Sequence, residues 1–356
     1  MMSSRLDRRN WIRQASAAAA CCLAPFGGRG QEAGLTDREQ GRRVAEAARE
    51  YILRCRRDDG SYAASPNPNY PGESDTKFSD LAAATYAAVV AKTMGWALPH
   101  PEQTVAFVLR HQQPDGRFVN QAGKHDPASD LAVLYNSTQG VVALRALGQV
   151  PPRDPLPVIG KMLEGDAYRK LPWYTTSFFP LVCAALDQPF PKQWREKLTR
   201  LMVESQAEDG YLGDHVASSV HMAHFFRLIG EPTPRAEKMV ERVLRDQKPD
   251  GGWNIKEPDW DVHAAFDAVF ILRQLAGENA GAARAISRGA DWSLSCRNPD
   301  GGFGHFPGRP SDMDAVYFQL GTLIQAGRIP GARTDLPDSH TLGWGHAMDP
   351  AKVYRT

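Results

Sequence analysis

The chain has 356 residues, of which 42% are hydrophobic and 23% are charged, and its net charge at pH 7 is +1. This length suits one large domain or two smaller ones, and the composition is ordinary for a globular protein. A near-neutral chain without an apolar run of about 18 residues gives no indication of a nucleic-acid partner or of a transmembrane segment.

Residues 1–30 differ from the rest of the chain. Arg8 and Arg9 precede Trp11 and Ile12, and a short, weakly hydrophobic alanine run follows. This arrangement resembles a twin-arginine export signal, and a disordered basic tail is the alternative. We therefore expect an exported protein, periplasmic or otherwise extracytoplasmic.

The cysteines and histidines give no sign of a structural metal or of a disulfide framework. Beyond residue 30 the cysteines are Cys55, Cys183 and Cys296, an odd and sparse set. No Cys-x-x-Cys or His-Glu-x-x-His pattern occurs. The sequence thus predicts no metal site, and it leaves any cofactor unknown.

A repeat organises the chain from about residue 36 to 330. Asp-Gly pairs begin at 59, 115, 209, 250 and 300, and one spacing is about twice the others, so a degenerate sixth copy is expected near residue 162. Each pair follows a helical pattern with a charged face and precedes a nearly uncharged helical pattern that ends in glycine. Because a helix that is apolar all round is buried, six such pairs predict an all-α, (α/α)6 toroid with the uncharged helices inside, rather than an open solenoid. Residues 331–356 are expected to form a tail that packs on the toroid.

The repeats carry a family resemblance. "QKPDGGW" and "NPDGGFGHFPG" resemble the Gln-x-x-Asp-Gly-x-Trp repeats of the terpene-cyclase and protein-prenyltransferase toroid superfamily, with Gln112, Gln206 and Gln247 at the Gln position. Arg56 and Arg297 replace that Gln in the first and last copies. The resemblance implies the toroid, and it implies that the repeat residues are structural.

The catalytic motifs of this superfamily are incomplete here. Class II cyclases carry Asp-x-Asp-Asp, whose middle Asp protonates an alkene, whereas this chain has Asp312-Met313-Asp314-Ala315. Protein prenyltransferases bind zinc with Asp-x-Cys and a distant His, and Asp314 stands where that Cys would be. The resemblance therefore implies Asp314, with Asp312, as the catalytic candidates, and it makes protein prenylation the weaker reading.

The inner helices of a toroid begin at one common end, so their first residues converge. Asp259 and Asp261 form a second pair of aspartates two residues apart, one unit before Asp312 and Asp314. Capping of helix N-termini explains one aspartate of each pair, and the other is a candidate for a carboxylate site. Further candidates for binding are His263, the aromatic residues Trp173, Tyr174 and Tyr317, and His346 in the tail.

Three classes of function remain open at this point. The first is an isoprenoid-active enzyme that uses Asp314 or Asp312 as a general acid to cyclise, or a site to bind, an isoprenoid or another apolar small molecule. The second is a non-catalytic exported toroid that binds a lipid or a protein. The third is a glycan-active (α/α)6 enzyme with two carboxylates as acid and base. The sequence identifies no protein partner.

Overall fold

The computed structural model describes residues 36–121, 128–213, 215–253 and 263–333, and the described part is all-helical. Six helices carry the charged faces, and these are α1 Asp37–Cys55, α4 Pro101–Arg110, α6 Leu156–Glu164, α8 Lys192–Ser205, α10 Ala236–Arg245 and α12 Ala280–Ser295. Six helices alternate with them and are buried almost all round, and these are α3 Ala82–Met94, α5 Asp130–Ala146, α7 Phe178–Ala185, α9 Val216–Leu228, α11 Ala264–Leu275 and α13 Met313–Gln325. A short helix, α2 Ser74–Phe78, and two 3-10 turns, Ala167–Lys170 and Trp173–Thr175, lie between them.

The inner helices form a closed ring. Each inner helix packs against the next one in the chain, and α13 packs back against α3. The outer layer closes as well, because the turn at Gly301 lies against Ala47 of α1 and Arg54 donates to the carbonyl of Asp300. The predicted toroid of six outer–inner pairs is therefore confirmed.

The burial pattern explains which helices lie inside. The outer helix α10 buries only Met239, Val240 and Val243, which share one face, while its charged residues stay at the surface. The inner helix α5 buries nearly every residue from Ala132 to Ala146. A helix whose middle carries no charge is therefore suited to the inner layer, where almost every residue is buried.

The Asp-Gly turns join neighbouring units. Their glycines have φ between 85° and 97°, and a Cβ atom at Gly60, Gly116, Gly210, Gly251 or Gly301 would lie 2.1–2.7 Å from backbone atoms of a neighbouring outer segment. Only glycine combines this conformation with so close an approach. The repeated glutamines complete the joint, since Gln112, Gln206 and Gln247 each donate to two backbone carbonyls.

Glycine also ends five of the inner helices, at 95, 148, 230, 277 and 327, with φ between 54° and 76°. The third unit lacks this glycine, and Asp187 takes the same left-handed conformation, with φ of 54°. Its carboxylate pairs with Arg145 at 2.6 Å.

Candidate functional site

The two aspartates at the N-terminus of the last inner helix make different contacts. Asp312 is the N-cap of α13, and its Oδ1 accepts a hydrogen bond from the backbone N–H of Asp314 at 2.6 Å. Both side chains are completely buried. A single cap satisfies the helix end, so the carboxylate of Asp314 is available for other contacts.

The short helix α2 lies over both aspartates. The hydroxyl of Thr76 lies 3.1 Å from Oδ2 of Asp312, and the backbone N–H of Asp75 donates to Oδ2 of Asp314 at 3.0 Å. The carboxylate of Asp75 in turn accepts from the hydroxyl of Tyr86 on α3. Two segments more than 230 residues apart in the chain thus meet at this point, where the first and last units close the ring.

Two histidines approach Asp314. Nε2 of His263, immediately before α11, lies 3.3 Å from Oδ1 of Asp314. The ring of His305 is 6.0 Å from the ring of His263, and its Nε2 lies 4.0 Å from Glu73. The site therefore combines two carboxylates with two imidazoles in a buried environment.

Burial sets the protonation behaviour of the carboxyls. Desolvation raises the pKa of Asp314 above its ordinary value, and the neighbouring Asp75 adds to this, while His263 opposes it. Desolvation also raises the pKa of Asp312, and the charge of Asp314 adds to it. Both carboxyls therefore hold their protons to higher pH than a free aspartic acid does.

Aromatic rings surround the carboxyl pair. Tyr86 and Tyr317 stack at 4.2 Å, and His263 stacks on Phe318 at 3.6 Å. Phe266 meets the edge of Phe318 at 5.1 Å. His263 and Phe318 are only half-buried, so this end of the inner ring leaves an accessible, aromatic surface beside a buried acid.

A group of ligand atoms here is close enough to share a cation. Within the described part of the chain, atoms of His263, His305 and Asp314 lie within 4.8 Å of one another. The zinc set of the prenyltransferases requires a thiolate, and the residue at that position is Asp314, while Asp312 is committed to the helix cap and to Thr76. The Asp-x-Cys zinc set therefore does not fit this chain.

The remaining predicted site residues have different positions. Tyr317 lies in the aromatic group, but Trp173 is 37% exposed and packs beside Gly213. Asp259, Asp261, His346 and the side chain of Tyr174 lie outside the described residues.

The sequence did not point to Asp75, Thr76, Tyr86 or His305. The helix α2 has five residues, too few for a periodic pattern, and His305 lies in a loop inside the last repeat. The signal that could have found His305 is the sequence Gly-His-Phe, which follows the Asp-Gly-Gly turn of the last repeat after one intervening residue, Phe303.

The closed double ring with its site at the start of the inner helices defines an α/α toroid protein. The sequence matches the model of the prenyltransferase alpha-alpha toroid domain over residues 14–144 and 170–346, and the chain belongs to this family.

Solved structures share the fold at low sequence identity. The type II terpene cyclase MstE from Scytonema superposes with a TM-score of 0.53 at 15% identity, covering 82% of this chain and 98% of that one. The protein geranylgeranyltransferase-I of Candida albicans superposes with a TM-score of 0.56 at 10% identity, covering 87% of this chain and 95% of that one. Among characterised proteins, drimenyl diphosphate synthase of Streptomyces showdoensis is 32% identical over 125 residues, which is 33% of this chain and 22% of the synthase. No helix of the described residues has the length and apolarity needed to cross a membrane.

Proposed function

We propose that this protein converts an isoprenoid hydrocarbon by acid-initiated cyclisation, with Asp314 as the proton donor. The observation that carries the proposal is the position of Asp314: it is fully buried, lies 3.3 Å from His263 and stands beside an accessible aromatic surface at one end of the ring. Membership of the prenyltransferase toroid family, together with the structural similarity of this chain to a type II terpene cyclase, supports an isoprenoid substrate.

The proposed chemistry needs an acid that is still protonated when the substrate arrives. Burial and the neighbouring Asp75 raise the pKa of Asp314 to about 6 against the opposing effect of His263, and a buried acid transfers its proton to an alkene without competition from water. The proton adds to one carbon of the double bond, and the other carbon becomes a cation. A second double bond of the same substrate then attacks this cation and closes a ring.

The aromatic rings have a role in the same scheme. A carbocation is stabilised by the faces of aromatic rings through its attraction to the ring quadrupole. Tyr86, Tyr317, Phe266 and Phe318 stand close to the acid and to one another. Phe318 is half-buried and offers apolar contact to the hydrocarbon, while the buried rings of Tyr86, Tyr317 and Phe266 pack against it and add to the electrostatic stabilisation of the cation.

His263 holds Asp314 in place for this step. Its Nε2 lies on the Oδ1 side of the carboxyl, while the N–H of Asp75 occupies the Oδ2 side. These two contacts fix the plane of the carboxyl group.

The test is conversion by the full-length protein of the hydrocarbon squalene and, as a second isoprenoid, of geranylgeranyl diphosphate. Products are identified by gas chromatography and mass spectrometry, after phosphatase treatment where the substrate is the diphosphate. We expect a cyclic product from one of them, and a loss of about 1,000-fold or more in rate for Asp314→Asn, because the amide cannot donate the proton. Asp291→Asn, on the outer helix α12, removes the same charge away from the site and should leave the rate unchanged.

Two results would contradict the proposal. One is full activity in Asp314→Asn. The other is activity that disappears on dialysis against EDTA and returns with a divalent cation, which would make Asp314 a metal ligand together with His263 and His305. Absence of conversion of either substrate by the wild-type protein would likewise contradict the proposal, and it would favour a binding protein.

A further inference from the structure

The carboxyl group of Asp314 is covered on both sides in the conformation described above. Asp314 is 0% exposed. Nε2 of His263 lies 3.3 Å from its Oδ1, and the backbone N–H of Asp75 donates to its Oδ2 at 3.0 Å. An alkene must come into contact with a carboxyl oxygen to receive its proton. A segment that covers Asp314 therefore has to move before the proposed reaction can begin.

The two covering segments differ in how they are held. His263 directly precedes α11, an inner helix that packs against both α9 and α13 in the closed ring. The helix α2, in contrast, has five residues, of which only Thr76 is buried, and its Lys77 is exposed. Segments with few buried apolar contacts open locally at a lower free energy than the whole protein unfolds. Of these two segments, α2 is therefore the one that moves more easily.

The backbone at the two ends of α2 is suited to such a movement. Gly72 has a φ of 82°, and Ser74, the first residue of α2, has a φ of 47°. This left-handed conformation is unfavourable for a residue with a side chain, so the closed position of α2 is strained at Ser74. At the other end Ser79 is buried, and its hydroxyl donates to Oδ1 of Asn136 at 2.6 Å. Residues 72–78, which we call the lid, thus lie between a glycine and an anchored serine.

The contacts that keep the lid closed all join it to the ring. The N–H of Asp75 donates to Asp314, and the hydroxyl of Thr76 lies 3.1 Å from Oδ2 of Asp312. Phe78 is half-buried at the last position of the lid. These contacts can break together without disturbing the packing of one inner helix against the next.

We propose that the lid opens while the ring stays folded, and that a substrate reaches Asp314 only when the lid is open. The second part of this inference rests on the proposed function, and the first part does not. Opening withdraws the N–H of Asp75 from Oδ2 of Asp314, so this oxygen then faces the space that the lid has left. A substrate that binds only the open form has its apparent affinity reduced by the open fraction, so kcat/KM should follow that fraction.

Two substitutions shift the lid in opposite directions. Ser74→Gly relieves the left-handed strain of the closed form and should lower the open fraction about fivefold. Thr76→Val keeps the shape of the side chain but loses the hydroxyl next to Asp312, and it should raise the open fraction about fivefold.

Each of these variants has a matched control. His100→Gly relieves the same left-handed conformation, with φ of 49°, at the start of the outer helix α4. Thr138→Val removes a buried hydroxyl that donates to the carbonyl of Leu134 in its own helix. Both controls should leave the open fraction of the lid unchanged.

Opening is measured without turnover in two ways. Hydrogen–deuterium exchange with mass spectrometry follows the amides of residues 73–80. Dicyclohexylcarbodiimide, an apolar reagent that reacts with protonated carboxyls, follows access to Asp314, and peptide mass spectrometry identifies the adduct. We expect residues 73–80 to exchange faster than α13. Both exchange and labelling should slow about fivefold in Ser74→Gly and quicken about fivefold in Thr76→Val, and kcat/KM for a converted substrate should change by the same factors.

The possible failures point to different parts of the inference. Exchange of residues 73–80 only at the rate at which the ring unfolds, or labelling of Asp314 at one rate in both variants, would overturn the lid. An equal kcat/KM in two variants whose exchange has moved apart would overturn the entry of substrate past the lid. A wild-type protein that converts neither squalene nor geranylgeranyl diphosphate would overturn the proposed function and the second part of the inference, while exchange and labelling still decide the first part.

Discussion

At the scale of single residues, the two aspartates at the start of α13 have different contacts, and only Asp312 caps the helix. Asp312 caps the helix and accepts from Thr76, whereas Asp314 touches His263 and the backbone of Asp75. The two residues are separated by one position at the start of the helix. Both side chains are buried, but they have different hydrogen-bond and charge partners. The Asp-x-Asp sequence thus provides a cap in Asp312, and in Asp314 the acid of the proposed reaction.

The raised pKa of Asp312 predicts a characteristic dependence of stability on pH. A carboxyl whose pKa is higher in the folded state binds its proton more tightly when folded, so it stabilises the fold below the ordinary pKa of ~3.9. This contribution is lost as the pH rises from that value through the raised folded pKa. Asp312→Asn keeps a capping oxygen and cannot ionise, so it should gain stability relative to wild type over this range.

Urea unfolding of the two proteins at a series of pH values measures this effect. The difference in the free energy of unfolding should grow in favour of Asp312→Asn with increasing pH, by up to about 1.4 kcal/mol for each unit of pKa shift. Parallel curves would show that Asp312 ionises in the fold as easily as it does in the unfolded chain.

At the scale of the element, the glutamine and the Asp-Gly turn of each repeat connect one outer helix to the next. The amide of Gln247 donates to the carbonyl of Gly251 in its own turn and to the carbonyl of Ala285 in α12, at 2.9 and 2.8 Å. Gln206 makes the equivalent bonds to Gly210 and Pro234. These hydrogen bonds connect successive outer segments of the ring, and none of them involves Asp312 or Asp314.

Gln247→Ala should therefore lower stability without changing chemistry. Loss of two hydrogen bonds to half-buried carbonyls is expected to cost about 1–3 kcal/mol of unfolding free energy. Gln193→Ala, at an exposed position of α8, is the matched control and should cost little. Thermal unfolding and turnover of both variants provide the measurement. A Gln247 variant as stable as the control would show that the glutamine does not stabilise the contact between units.

The elements were predictable from the sequence because their signals are local. Asp-Gly turns, terminal glycines and the alternation of charged with uncharged helices are each contained in a few tens of residues, and together they define the six pairs. The helix α2 was not predictable, since five residues carry no periodicity and its contacts with Asp312 and Asp314 span more than 230 residues.

The site was predictable only in part for the same reason. The sequence placed Asp312 and Asp314 at a helix start because capping preferences are local. That His263 and not another polar residue approaches Asp314 depends on the packing of α11 against α13, which spacing along the chain does not contain. Trp173, which the sequence placed at the binding surface, is 37% exposed and packs beside Gly213, and its role in binding stays a prediction.

At the scale of the whole molecule, the site exists because the ring closes. Asp312 and Asp314 belong to the last inner helix, and Asp75, Thr76 and Tyr86 belong to the first unit. The backbone N–H of Met313 also donates to the carbonyl of Ala64 at 2.8 Å. An open array of the same helices would leave both buried carboxyls exposed to water and would lower their pKa.

We also propose that the protein is exported, and Arg8 and Arg9 provide the test. Replacing both with lysine should retain the protein in the cytoplasm, because twin-arginine transport depends on the arginine pair. Cell fractionation with an antibody to the folded ring measures the distribution. An unchanged distribution between compartments would contradict the export proposal.

The central claim, that Asp314 gives a proton to the substrate, is tested most directly by carrying out the conversion in deuterium oxide. The account predicts a cyclic product that carries one deuterium on a carbon of the original double bond, bound at a single face, and no such product from Asp314→Asn. A cyclic product formed by the wild-type protein without deuterium at that carbon would contradict the account.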